Sequence, residues 1–277
     1  MLQYNKIQLK QFYLKCQKDK IIGLDTEFHR VNTYYPKLCL VQISNKSESI
    51  IIDPLKRNFD ISYLNRILFN KEILKIIHAS RQDIEIFYNL FKKIPQPLFD
   101  TQLCLFYLGY NKSISYAKAC NDFLCIKINK EHQFIDWRQR PLSLEKINYA
   151  INDVKYLIPL YEKIRKKLED TSTPQLKKEL KKILDENLYK KKDENAWQKI
   201  NLNKFDHEEI ETLKYLCAVR EKIAKRKDIP VKRIIRDQDL KVICNKKTTK
   251  NKVLKILNKI IHPDFRVKAM ELLTKCR

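Results

Sequence analysis

Two acidic residues follow a hydrophobic stretch at a point where a buried strand would not carry charge. Residues 21–24 are rich in isoleucine and leucine and predict a buried strand, and Asp25 and Glu27 come directly after them. Because successive side chains of a strand alternate between its faces, these two carboxylates share one face. Two desolvated like charges repel each other, and a cation between them would offset both costs. The pair therefore predicts half of a metal site.

Two further acids are candidates for the rest of that site. Asp83 lies at the start of a predicted helix, and Asp153 lies on a long predicted helix one turn after Tyr149. Strand ends and helix starts of an α/β sheet can converge at one edge, so these acids can meet Asp25 and Glu27. Four carboxylates in one cleft require two divalent cations, an arrangement that serves phosphodiester hydrolysis. The tyrosine would hold the attacking water by a hydrogen bond.

Each of these residues also has an ordinary structural explanation. Asp83 alone suits a helix N-terminus because of the helix dipole, and Asp25 alone suits the turn after a strand. Tyr149 would be a half-buried packing residue, Asp153 a solvated helix acid and His78 a hydrogen-bonded histidine at a strand end. The hypothesis of a metal site depends on the conjunction of the acids.

The predicted elements follow the order β-β-β-α-β-α-β-α, which is typical of an α/β domain with a mixed sheet flanked by helices. The first three strands have short connections and predict an antiparallel meander. Ser80 is predicted to cap the helix that carries Asp83. The predicted strands cover residues 21–28, 38–43, 50–53, 73–78 and 97–101, and the predicted helices cover 63–69, 81–92 and a segment that ends at Tyr107.

The longest periodic stretch, residues 143–170, predicts one long helix that carries Tyr149 and Asp153 on the side opposite its apolar stripe. Beyond it the composition changes. We expect a domain at 1–170, a Lys-rich helical linker at 171–205 and a small all-helical domain at 206–277. In this last segment 20 Lys and Arg residues against 10 Asp and Glu residues give a net charge of +10.

The composition narrows the classes of function. A net charge of +24 favours a polyanionic partner, although codon bias accounts for part of the lysine content. Only two glycines are present, Gly23 and Gly109, so neither a P-loop nor a dinucleotide-binding glycine fingerprint exists. No nucleotide cofactor is expected.

Residues 1–20 lack the apolar segment of a signal peptide, and no later run approaches the length of a membrane span. We therefore expect a cytoplasmic protein without membrane attachment. Eight cysteines are scattered along the chain without a Cys-x-x-Cys pair, which favours reduced thiols over a zinc ribbon or redox dithiol.

The candidate residues resemble the three motifs of the DEDD superfamily of 3′–5′ exonucleases, in the branch with tyrosine in the third motif. Asp25-Thr26-Glu27 resembles the first motif, Asp83 the second, and Tyr149-x-x-x-Asp153 the third. More narrowly, about residues 20–165 resemble ribonuclease D, and the basic tail more loosely resembles the HRDC domain. The surrounding segments that carry the resemblance are Tyr34-Tyr35-Pro36, Leu40-x-Gln42, His78-Ala79, Asp100-Thr101-Gln102, and Asp136-Trp137-x-x-Arg140-Pro141-Leu142.

The resemblance implies a ribonuclease H-like fold followed by an HRDC-like domain. It implies that Asp25, Glu27, Asp83 and Asp153 bind two Mg²⁺ or Mn²⁺ ions, with Asp25 bridging, and that Tyr149 orients the nucleophilic water. The reaction would remove nucleotides from an RNA 3′ end as 5′-monophosphates. Transfer RNA precursors are the expected substrates, and the expected oligomeric state is a monomer.

Four residues beside these motifs are candidates for substrate binding. Thr26 and Phe28 flank the metal ligands and would contact the terminal nucleotide. Trp137 and Arg140 precede the predicted long helix and would stack on a base and pair with a phosphate. The alternative is a core tryptophan beside an arginine in a structural ion pair.

Two other functions remain open from the sequence. One is a DNA-directed exonuclease, although related DNA enzymes often carry histidine in place of Tyr149. The other is a nucleic-acid-binding scaffold whose nuclease site has decayed, although Asp25, Glu27, Asp83, Tyr149 and Asp153 all have the side chains that hydrolysis needs.

Overall fold

The computed structural model describes residues 6–56, 61–128, 135–169, 174–190, 192–202 and 205–276, and this part of the chain forms two compact units. The first unit comprises residues 1–29 and 37–189, and the second comprises 30–36 and 190–277. The division between the units falls within the predicted linker at 171–205, whose bounds stay a prediction. Leu176 and Tyr189 are buried in the first unit, and Ile200 is buried in the second.

The first unit is built on a mixed five-stranded sheet of order β3-β2-β1-β4-β5. The pairs β1–β2 and β2–β3 are antiparallel, which confirms the predicted meander, whereas β1–β4 and β4–β5 are parallel. The carboxylate-bearing strand β1 is thus central. The described strands are β1 Ile21–His29, β2 Lys37–Ser44, β3 Ser49–Ile52, β4 Leu74–Ile77 and β5 Leu98–Asp100.

Helices cover both faces of this sheet. Ile22 and Leu24 of β1 pack in a core with α1, α2 and α3, whereas Ile21 packs with α6 and α7 on the opposite face. The described helices of the unit are α1 Lys6–Asp19, α2 Ser62–Phe69, α3 Arg81–Phe91, α4 Thr101–Tyr107, α5 Tyr116–Leu124, α6 Leu144–Lys155, α7 Leu157–Glu169 and α8 Pro174–Ile183, with a 3₁₀ helix at Glu186–Leu188.

The predicted single helix over 143–170 is wrong, because the chain breaks at Tyr156 into α6 and α7. The Tyr116 hydroxyl donates to the Asn152 carbonyl at 3.2 Å and accepts from the Tyr156 N–H at 3.1 Å. It therefore occupies the place of the helical bond between those two groups. Pro159 reinforces the break, since a proline there would clash with the carbonyl four residues earlier in a continuous helix.

Ser80 lies at the predicted start of α3, but its side chain does not cap that helix. Its hydroxyl donates to Asp100 at 2.8 Å instead. The backbone supports this arrangement, because Ala79 has a positive φ of 61°, and the N–H groups of Ala79 and Ser80 both donate to the Asp100 carboxylate. The turn between β4 and α3 is thereby fixed to the end of β5.

The second unit is helical where it is described, as predicted for residues 206–277. Its core is apolar and centres on α9, whose Leu213, Leu216 and Cys217 are buried. A capping box formed by Asp206 and Glu209 begins that helix. The described helices are a 3₁₀ helix at Asp193–Lys199, α9 His207–Lys227, α10 Val231–Ile234, α11 Asp237–Cys244, α12 Lys250–Lys259 and α13 Pro263–Cys276.

Among the described residues, no helix is both long and apolar enough to cross a bilayer. Seven cysteines have described side chains; these are free thiols, and all but Cys125 are buried.

Candidate active site

A close approach between β1 and α6 brings the first and third sequence motifs together. A Cβ atom at Gly23 would lie 2.4 Å from Ser44 Oγ and 2.9 Å from the Val154 carbonyl oxygen. Ser44 also donates to that carbonyl at 2.8 Å. Glycine is therefore required at this point of β1, two residues before Asp25, and the helix residue that precedes Val154 is Asp153.

Three of the predicted acids form one cluster. Each of Asp25, Glu27 and Asp153 offers a carboxylate oxygen such that the three atoms lie within 4.8 Å of one another. All three residues are partly buried. The alternation of β1 places the first two on one face, and the approach of α6 brings the third to them. The arrangement has the oxygen donors and spacing that suit a divalent cation.

Asp83 lies beside this cluster but does not join the group of three. It is 5% exposed, and its Oδ1 accepts a 2.5 Å hydrogen bond from the Thr26 hydroxyl. Its charge acts on Asp25 more strongly than that of Asp153 or Glu27. The acid is thus buried in the same neighbourhood, and one of its oxygens is occupied by a protein donor.

The electrostatics of the cluster favour a bound cation. Burial raises the pKa values of Asp25 and Glu27 well above the ordinary range, and the neighbouring carboxylates raise them further. Burial also raises the pKa of Asp153 to about 7 and that of Asp83 to about 7. These groups retain protons near neutral pH because their charged forms are desolvated beside other acids. A divalent cation would relieve both effects, so the residues fit a metal of this class.

Tyr149 contacts the cluster through its hydroxyl, which donates a hydrogen bond to the Asp153 carboxylate. Burial raises the pKa of Tyr149, and the adjacent acids raise it further, so the phenol keeps its proton. A protonated hydroxyl at this position can donate to a carboxylate or accept from a water molecule.

Trp137 and Arg140 have the contacts of the structural alternative. Trp137 is 3% exposed, and its ring centroid is 6.0 Å from that of Tyr149. Arg140 forms two hydrogen bonds to Asp53, of 2.6 and 2.8 Å, and a third to the Cys39 carbonyl at 3.0 Å. These contacts are made within the protein, so they do not support stacking on a base or pairing with a phosphate, and those roles stay predictions.

The two other predicted substrate contacts are also engaged within the protein. Thr26 is 5% exposed and donates to Asp83, while Phe28 packs partly buried against the core beneath β1. Tyr116, by contrast, was missed by sequence reasoning. Its hydroxyl bonds to the Asn152 carbonyl and the Tyr156 N–H, on either side of Asp153 in the sequence. Pro159 was the sequence signal that a break was needed.

A family model described as a 3′–5′ exonuclease matches residues 3–169. The chain belongs to the 3′–5′ exonuclease family. The matched region contains β1, α3 and α6, so the acid cluster lies within the exonuclease domain.

Comparisons with individual proteins confirm the narrower resemblance to ribonuclease D. The chain is 39% identical over 234 residues to ribonuclease D from Sphingobium indicum, covering 84% of this chain and 60% of that protein. It matches the crystal structure of Escherichia coli RNase D, an exoribonuclease involved in structured RNA processing, with a TM-score of 0.86 and 28% identity over 98% of this chain and 72% of the other.

A third comparison concerns a metal-bound structure. Brucella melitensis NrnC with bound Mg²⁺ matches with a TM-score of 0.56 and 26% identity, covering 70% of this chain and 94% of the other. The chain spans 60% of the length of the Sphingobium ribonuclease D.

Proposed function

We propose that the chain is a 3′–5′ exoribonuclease that hydrolyses single nucleotides from RNA 3′ ends as 5′-monophosphates. The observation that carries the proposal is the cluster of Asp25, Glu27 and Asp153 with the Tyr149 hydroxyl beside it. Membership of the exonuclease family and similarity to ribonuclease D support the reaction class. Maturation of transfer RNA 3′ ends is the cellular role that we infer from this similarity.

Two Mg²⁺ or Mn²⁺ ions are the proposed cofactors, held by Asp25, Glu27, Asp83 and Asp153 with Asp25 shared between them. The oxygen donors suit these cations, and Mg²⁺ is bound in the Brucella relative. When bound, such ions stabilise the charge on the attacking and leaving oxygens of phosphodiester hydrolysis.

The protein's own residues would align the reaction. Tyr149 is placed to orient the attacking water, because its protonated hydroxyl already lies within hydrogen-bond distance of Asp153. Thr26 holds Asp83 by its hydroxyl and would fix the direction of that carboxylate. The basic second unit, with a net charge of +10 over residues 206–277, would hold the RNA strand by its phosphates.

The test uses single-stranded RNA labelled at its 5′ end, with Mg²⁺. The proposal predicts a ladder that shortens from the 3′ end, with 5′-monophosphates as the small products. An Asp25→Asn variant should leave the RNA intact, whereas Asp122→Asn, a matched change at an exposed acid of the same unit, should degrade it normally.

Two outcomes would favour the alternatives. Faster degradation of a DNA strand of the same sequence would identify a DNA-directed exonuclease. Tight RNA binding with no product from the wild-type chain would identify a scaffold. Sedimentation of the same preparation tests the proposed monomer.

A further inference from the structure

A second cleft in the first unit lies away from the acid cluster. It has a volume of about 430 Å³ and is formed by α1, α2 and the C-terminal end of α3. Phe91 lines it, eight residues after Asp83 on α3, which corresponds to about 12 Å along the helix. The size is that of a small-ligand site.

Aromatic rings form much of the lining. The lining residues Phe69 and Phe91 meet edge to face with ring centroids 5.5 Å apart, and the ring of Tyr13, also a lining residue, lies 6.2 Å from that of Tyr63 on α2. All four residues are only partly buried, so ring surface stays accessible. Partly exposed aromatic rings are the surfaces on which unpaired bases stack.

Two cationic side chains lie over the rings of Tyr63 and Phe69. Arg66 lies 5.2 Å from the centroid of Tyr63, and Lys93 lies 6.0 Å from that of Phe69. Both are exposed, and within the described chain neither forms an ion pair. The residues that line the cleft include no acid. These positive charges, without an acid beside them, favour an anionic ligand such as a phosphate over a cationic one.

We propose that this cleft binds one unpaired nucleotide of an RNA strand, outside the active site. The base stacks on the exposed ring surface of the cleft, while Arg66 and Lys93 pair with the flanking phosphates. The inference rests on the proposed function in that it takes RNA as the ligand. The cleft would thus be a second RNA-binding site of the exonuclease domain, in addition to the site for the terminal nucleotide.

The test measures binding of a fluorescent single-stranded adenosine oligomer to the full chain in EDTA, where hydrolysis does not occur. The variant is Arg66→Glu combined with Lys93→Glu. The control is Lys71→Glu combined with Lys92→Glu, which makes the same change of charge at exposed neighbours that do not line the cleft. We expect about tenfold weaker binding for the variant and about twofold or less for the control.

The salt dependence separates direct contacts from general charge. For a single strand, loss of two phosphate contacts lowers the magnitude of the slope of log binding constant against log salt concentration by about 1.4. We expect this change in the cleft variant and not in the control. Equal effects of the two double variants would overturn the proposal.

A second measurement, photocrosslinking, uses the wild-type chain and therefore does not require that the variants fold. RNA containing 5-iodouridine should crosslink on irradiation to peptides that contain Tyr13, Phe69 or Phe91. Crosslinks confined to other peptides would contradict the proposal. Binding and crosslinking need no hydrolysis. These two measurements therefore test the cleft, whereas the shortening of labelled RNA tests the proposed exonuclease activity.

Discussion

Asp100 and the acid cluster of Asp25, Glu27 and Asp153, both in the first unit, have opposite surroundings. Asp100, at the end of β5, is 4% exposed and accepts from Ala79 N–H, Ser80 N–H, Ser80 hydroxyl and Leu103 N–H at 2.8 to 3.2 Å. Burial instead raises the pKa of Asp25, and the charges of the acids beside it raise it further. The first carboxylate is satisfied by the fold, whereas the second remains unsatisfied without a ligand.

The difference shows how to separate a structural acid from a functional one. A carboxylate surrounded by donors stabilises the native state, because each donor would otherwise be buried without a partner. A cluster of carboxylates destabilises the native state unless a cation or protons neutralise it. Substitutions in the two groups should therefore have opposite effects on stability and activity.

The largest effect is expected at the cluster. Asp25→Asn removes a charge at the proposed shared metal ligand, so RNA hydrolysis should fall by about 10³-fold or more. Because it also removes repulsion, the melting temperature in EDTA should stay unchanged or rise. Hydrolysis rates and thermal melts of the same sample check both. A melting temperature that falls by many degrees would mean that Asp25 is structural.

Asp100→Asn should show the reverse pattern. The substitution replaces a carboxylate oxygen with an amide nitrogen, which is a donor and would face the donors that the carboxylate now accepts from. We therefore expect a loss of about 3 kcal/mol in the free energy of unfolding. Urea denaturation measures it. The folded fraction should keep near-normal hydrolysis per folded molecule, and a variant as stable as the wild type would remove the basis of the comparison.

The pH dependence of stability in EDTA sharpens the contrast further. Asp83 and Asp153 have pKa values of about 7 in the folded chain against an ordinary value of 3.8, so the native state binds more protons than the unfolded state between these pH values. Stability should therefore decrease as pH rises from about 4 to 7 through these groups.

Asp153→Asn provides the control for this profile, because it should flatten the decrease. Adding Mg²⁺ should restore stability at pH 7 by about 1.4 kcal/mol at ten times its dissociation constant. The account would be contradicted if stability in EDTA rose between about pH 4 and 7 and Asp153→Asn left this profile unchanged.

The smallest effect is expected at Tyr116, which acts on the cluster only through the break between α6 and α7. Tyr116→Phe leaves the Asn152 carbonyl and the Tyr156 N–H without their shared partner, which costs about 1 to 2 kcal/mol of stability. Metal affinity, measured by calorimetry, should also weaken. Tyr161→Phe is the matched control on α7, and equal changes in metal affinity in both variants would exclude a positioning role.

Much of the architecture was predictable because it depends on local pattern. The β-branched runs around Ile22, Val41 and Ile51 identified the meander, and strand alternation alone placed Asp25 and Glu27 on one face. Helix α1 was missed, although Leu9, Phe12 and Cys16 recur at helical spacing and are buried.

The remaining features depend on partners that are distant in the sequence. Tyr116 breaks a helix 40 residues away, and Arg140 pairs with Asp53 across 87 residues. Thr26 donates to Asp83 across 57 residues, and its contact with the terminal nucleotide stays a prediction. Local periodicity and spacing contain no information on such pairs.

The most direct test of the central claim is anomalous diffraction from crystals of the chain soaked in Mn²⁺. The account predicts two anomalous peaks about 4 Å apart among Asp25, Glu27 and Asp153, with Asp83 turned toward one of them. Saturating Mn²⁺ that leaves no peak among these carboxylates would contradict it.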